Sequence, residues 1–144
     1  MISNYRSLSS FISLYVRNLF NNKPYTSSSS AKPRNFNNFI FKLLDYSKVN
    51  DFTILGALTL LNRVKFRYPL VQSNSTQRLF FVALVISNKQ LCDNAYSNSA
   101  WNKICSKFSI NEINLSKCRL ICCHCHLLTK YTYSGTRILK FIKI

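Results

Sequence analysis

Apolar residues recur at steps of three and four through most of the chain, and this spacing predicts a series of helices. In residues 7–21, Phe11, Leu14, Tyr15 and Leu19 recur at helical spacing with Arg17 and Asn18 on the other side. That pattern predicts an amphipathic helix that must dock on something. Asn35 is placed to cap a second helix, in which Phe36, Ile40, Leu43 and Leu44 make one stripe. Asp51 is placed to cap a third, with Ile54, Leu55, Leu58, Leu61 and Val64 as its apolar set. Tyr68-Pro69 ends it, because the residue before a proline disfavours helical geometry. Asn74 or Ser75 begins a fourth, apolar nearly all round over 79–86, as expected of a helix at the centre of a bundle. A buried strand competes for that run, but its length and helix-favouring flanks decide against it.

After a polar turn (LCDNAYSNS), a short helix around SAWNKICSKF presents Trp101, Ile104 and Cys105 to a core. Ser109-Ile110-Asn111-Glu112 is a capping-box pattern, in which the Ser side chain accepts from the Glu amide while Glu reaches back. A last helix is therefore predicted from near Ile110 towards Leu128. Between the first helix and the rest, residues 21–35 hold two prolines and four consecutive serines and read as a flexible connector. The organisation expected is an N-terminal helix (1–22), a Ser/Pro linker (23–34), a helical domain (35–130) and a basic tail (131–144). The fold class is all-α, a five-helix bundle preceded by an amphipathic helix.

Composition narrows the function classes. A chain of 144 residues supports one compact domain. Its two glycines weigh against a turn-rich β-sandwich and against a Gly-rich phosphate loop. No apolar run approaches the ~20 residues of a membrane helix, so no membrane span is expected. The first segment has a second reading as a transit peptide, since no acidic residue precedes Asp45, but docking is the preferred one. The carboxylates are Asp45, Asp51, Asp93 and Glu112, and both histidines, His124 and His126, sit together. Nothing here resembles a paired-carboxylate site or a nucleophile with its own base, which counts against a hydrolase or transferase. No cofactor is expected.

Lys and Arg number 20 against four acids, a formal charge of +16. Such an excess can mark a nucleic-acid surface. However, the basic residues are spread out, no recognition motif accompanies them, and 16 Asn and 19 Ser indicate a general compositional bias. Nucleic acid is an alternative partner that charge leaves open.

The order of segments resembles the cyclin box, and specifically the P-type (PCL or phosphate-pathway) cyclins. The matching words are KPRNFNNFIFKLLDYSKVN, ILGALTLLNRVKFRYP, STQRLFFVALVISNKQLCDNAYSNSAWNKI and SINEIN. The resemblance covers about 33–114 and fades after that. It implies a regulatory subunit without chemistry of its own, which binds and activates a cyclin-dependent Ser/Thr kinase in nucleus and cytoplasm and contributes to substrate choice. In the family, the third and fifth box helices pack on the kinase helix bearing the active-site Glu. Lys89 matches the box lysine that reaches kinase backbone carbonyls, and Arg63 matches the arginine of the "DR" pair, with Asn62 replacing the Asp. Asp93, Tyr96 and Asn98 match the "D-x-x-Y-s-N" turn; Asp93, Asn98 and Glu112 join Lys89 and Arg63 as the expected partner-binding residues. Past Asn114 the words depart from the family, and Ser116 falls where the Glu paired with the box lysine is expected. Either the closing helix has diverged, or the chain past about Leu115 comes from a different reading frame or unspliced sequence. A basic nucleic-acid- or metal-binding module and a degenerate cyclin without kinase binding are the competing readings.

Six cysteines include Cys118, Cys122, Cys123 and Cys125. Without a convincing secretory signal, reduced thiols are expected. Cys118, Cys122, Cys125 and His126 could share one helical face and form a metal set. A helix presents such ligands in a row, not as a closed tetrahedron, so a second element would have to help. C118-x3-C122-x2-C125 also fits an iron–sulfur spacing, but too little chain follows it. The plainer reading is small apolar residues packing the last helix.

Overall fold

A computed structural model describes residues 2–20, 33–69 and 76–125, which form six helices and, among the described residues, no strand. Most of the linker, the proposed caps Asn74 and Ser75, the predicted end of the last helix at Leu128 and the basic tail 131–144 lie outside the described residues.

Helix α1 (Ile2–Phe20) buries Ile12, Val16 and Phe20, with Ser9 and Ser13 beside them. This corrects the stripe expected from the sequence: Phe11 is 58 % and Leu14 61 % exposed, and Tyr15 and Leu19 only flank the buried row. Successive residues turn by about 100° around a helix, so two apolar stripes one position apart face different neighbours. Packing on α2 (Pro33–Ser47), and to a lesser extent on later helices, selects the Ile12 row.

Helix α2 begins at Pro33, inside the segment expected to be linker, and Asn35 is helical and not a cap. Proline tolerates the first helical position because its missing N–H has no partner there in any case. The expected stripe of Phe36, Ile40, Leu43 and Leu44 is buried as a unit. The helix stops at Lys48, whose φ of 48° is left-handed and whose amide donates to the Leu44 carbonyl at 3.0 Å.

Helix α3 (Asp51–Arg67) is capped by Asn50, one residue before the expected Asp51. Asn50 Oδ1 accepts from the Thr53 amide at 2.8 Å and from the Thr53 hydroxyl at 2.7 Å. Asp51 instead sits in the first turn, where a carboxylate meets the positive end of the helix. Ile54, Leu61 and Val64 are buried as predicted, together with Ala57 and Leu60, but Leu55 is 61 % exposed.

Helix α4 (Thr76–Leu91) is the central element, buried without interruption from Leu79 to Asn88. It packs most extensively on α3. Gly56 permits that closeness, since a Cβ there would lie 2.7 Å from Leu91 Cδ1 and 3.3 Å from Ser87 Oγ.

The short α5 (Asn98–Ile104) is capped by Ser97, which accepts from the Ala100 amide at 3.1 Å. Its anchor is Trp101, fully buried against Phe81 (5.9 Å between rings) and Tyr96 (5.5 Å), both edge-on. Phe108 extends the cluster, 5.2 Å from Phe81. Edge-to-face pairs of this kind add specificity to the area they bury.

Helix α6 (Ile110–Cys125) opens on the predicted capping box: the Ser109 amide donates to Glu112 at 2.8 Å, and the Glu112 amide donates to Ser109 Oγ at 3.2 Å. The Ser109 amide first, its hydroxyl second and the Arg78 charge last hold the Glu112 carboxyl below its usual range. A carboxylate lowered by folding contributes stability that is complete above its unfolded value and drains as pH falls through the folded one. Glu112→Gln should therefore lower stability at neutral pH, leave it little changed at acid pH where the parent carboxyl is protonated, and so flatten the acid limb. Urea midpoints measured from about pH 7 down to 3 would check this; an acid limb identical to that of the parent protein would rule the contribution out.

Candidate partner-binding surface

The candidate residues fall on three separate parts of the bundle. Lys89 stands exposed in the last turn of α4. The turn that follows is held from within: buried Asn88 accepts from the Tyr96 amide through Oδ1 at 3.0 Å. Asp93 is exposed in that turn, and Asn98 opens α5 half-buried. Asn98 Nδ2 donates to Asn114 Oδ1 in α6, and its Oδ1 accepts from Lys117 Nζ at 3.5 Å. Asn98 and the middle of α6 thus meet, and α6 also packs on α4, whose last turn carries Lys89.

Ser116, placed by the resemblance opposite Lys89, is 3 % exposed and faces inward. The next residue, Lys117, is half-buried on α6 and donates to Asn98. Burial first, and the charge of Lys89 second, hold the Lys117 ammonium below its ordinary lysine value. Spacing alone held the signal for this: Ile113, Ser116 and Leu120 are buried at steps of three and four and define the inner face of α6. Lys117 sits one position off that row.

Arg63 is elsewhere, exposed on α3 at an open groove of about 520 Å³ between α3 and α4. Its walls include Phe52, Leu55, Thr59 and Leu91, and Phe52 is 76 % and Leu91 55 % exposed. Leu91 lies two residues past Lys89, so the groove adjoins the lysine's turn without including it. The sequence pattern does not mark these residues as exposed, and it places Leu55 in the apolar set of α3.

Glu112 lies at the opposite end of α6 from the cysteines, engaged with Ser109 and with Arg78 at 3.1 Å. Those bonds make it a helix cap and a solvent-screened surface ion pair. Of the proposed metal set, Cys118 is exposed on α6, Cys122 and Cys125 lie in its last turns, and His126 falls outside the described residues. Among the described residues, no three His, Cys, Asp or Glu gather as a metal site. No described helix is long and apolar enough to cross a membrane.

A family model described as Cyclin matches residues 9–121. The match takes in most of α1, the whole of α2 to α5, and α6 as far as Ile121. It therefore extends beyond both limits of the resemblance read from the words of the sequence. No curated protein and no solved structure matches the chain.

Proposed function

The chain belongs to the cyclin family, and from that membership we propose that it is a P-type regulatory subunit that binds and activates a cyclin-dependent Ser/Thr kinase. It would contribute to the choice of substrates in cell-cycle or phosphate-linked signalling and act in nucleus and cytoplasm. The observation that carries this reading is Lys89, exposed in the last turn of α4, the helix that packs against α6. These helices are the third and fifth of the box when α1 is counted as the N-terminal helix.

Activation would work through a difference in contact. The kinase helix bearing the active-site Glu has an inward position, in which the Glu pairs with the ATP-binding Lys, and an outward one. A rigid surface that touches only the inward position draws the population to it, by as much as its affinities for the two states differ. The central helix supplies the rigidity, because α4 is buried along most of its length beneath the exposed turn. Membership supports a regulatory and not a catalytic role. The basic nucleic-acid-binding alternative has no recognition element among the described helices to favour it.

The test is to recover the tagged full-length protein from its own cell extract and assay phosphorylation of a Pro-directed peptide, with Lys89→Glu in parallel. Stoichiometric co-purifying kinase activity, reduced by about tenfold or more in the variant, is expected. A folded protein that recovers no kinase, or a variant that recovers as much, would overturn the reading.

A further inference from the structure

The groove between α3 and α4 sets Phe52, Leu55 and Leu91 side by side with most of each side chain open to solvent. Grouped apolar exposure of this kind marks an interaction site. The two ends of the groove differ in charge. At one end, Cys92 Sγ lies 3.4 Å from Thr53 Oγ1 and 3.9 Å from Asn50 Nδ2, which ties the turn after α4 to the start of α3. That contact brings Asp51 and Asp93, the chain neighbours of Asn50 and Cys92, to the same end. Both are exposed, and neither has an ion pair among the described residues, in a chain with 20 Lys and Arg. Arg63 marks the other end, about three helical turns further along α3.

Helix α6 leads the chain towards the acidic end. Just before it Lys107 bonds to Gln77, and in its first turn Glu112 pairs with Arg78, so the start of α6 meets the first turn of α4. Asn114 and Lys117 then bond to Asn98, which lies past the turn that follows α4. Helix α6 therefore runs in the direction of α4, and residues 126–144 leave it at the end of the bundle that holds Leu91 and the start of α3. In that segment Arg137, Lys140 and Lys143 recur at every third position, with Ile138, Leu139, Phe141 and Ile142 between them.

We propose that residues 137–144 are the occupant of the groove, with their apolar side chains on Phe52, Leu55 and Leu91 and their cations at Asp51 and Asp93. Residues 126–138 span about 40 Å when extended, enough for the reach. Attachment to the same chain gives the segment a local concentration of about millimolar, so a groove of about 520 Å³ suffices to hold it. A separate protein would need about 1,000 Å² of matched surface, and a second copy would set another charge of +16 against the first. The segment would close the apolar surface beside the turn of Lys89 and leave Lys89, which does not line the groove, outside. This assignment does not depend on the kinase reading.

Amide hydrogen exchange on the full-length protein, read by mass spectrometry, is the test, with a synthetic peptide of residues 131–144 as the unprotected reference. Amides of 137–144 should exchange about tenfold or more slowly in the protein than in the peptide. Leu55→Asp should abolish that protection while circular dichroism stays unchanged, since the side chain is 61 % exposed. Leu14→Asp on α1, equally exposed, should leave it intact. Asp51→Asn combined with Asp93→Asn should reduce it about threefold, and no reduction would overturn the pairing with the two acids. Exchange in the parent protein at the peptide's rate would overturn the proposal and leave the groove to another partner. Protection that survives Leu55→Asp would also overturn it, because the segment would then rest elsewhere. Protection that falls on dilution would assign the groove to the segment of a second copy and overturn the occupant named here.

Discussion

Trp101→Ala is expected to cost about 3–5 kcal/mol of stability, the range for removing a fully buried large aromatic side chain. Total stability for a domain of this kind is about 5–15 kcal/mol, so the variant would be marginal or unfolded at working temperature. Trp101 is fully buried, and its ring meets Phe81 and Tyr96 edge-on. Deleting it leaves a cavity between α4 and α5 that neither ring can fill without leaving its rotamer. The effect should also reach beyond packing. Helix α5 spans seven residues, too few to persist without tertiary support. Its loss would release Asn98 from Asn114 and Lys117, and with it the geometry around Lys89. Urea denaturation followed by circular dichroism is the measurement, since the substitution removes the chain's one tryptophan and its fluorescence. Trp101→Phe, which keeps an aromatic body in place, should cost less. A midpoint unchanged in the alanine variant would mean that Trp101 is not the anchor of α5.

The second large effect concerns α1 and comes as a pair of substitutions two residues apart. Val16→Asp should destabilise by about 3–5 kcal/mol, because it places a carboxyl with no cationic partner in a fully buried apolar row. Val16 is fully buried between Ile12 and Phe20 on the face that packs against α2. Leu14→Asp should change stability by no more than about 0.5 kcal/mol, as is usual for exposed positions. Leu14 is 61 % exposed. Thermal or urea melts of both variants would decide which face docks. The opposite order, with the Leu14 variant destabilised and the Val16 variant unaffected, would restore the stripe expected from the sequence and refute the packing described here.

Position 116 and position 117 illustrate why the surface was harder to read than the fold. The family's words fade just before α6 reaches Lys89, so a one-residue shift in their alignment passes unnoticed in the sequence. In a helix that shift turns a side chain by about 100°, enough to exchange the core for the surface. Ser116 is consequently buried and Lys117 only half-buried. The resemblance gave Lys89 its interest, whereas the bond of Lys117 to Asn98 came into view only once α6 was laid against α5. The groove at Arg63 has the same origin. Leu55 and Leu91 look like ordinary core residues in sequence, and only the crossing of α3 over α4 leaves both of them open to solvent.

Local pattern was sufficient for everything that depends on near neighbours along the chain. The existence of six helices, the capping box at Ser109, the stop before Pro69, the stripe on α2 and the all-round burial of α4 follow from period, caps and turn chemistry. The segment words were also enough to identify the family, which the match over 9–121 bears out. What remained open were choices between faces of comparable apolarity, at Phe11 against Ile12 and at Leu55 against Ala57. A helix with apolar residues on adjacent stripes can bury either one. The neighbouring helix, which may be far away in the chain, decides by which stripe lets the axes approach and the side chains interdigitate. The same tertiary choice buried Ser116 and left Lys117 beside Asn98.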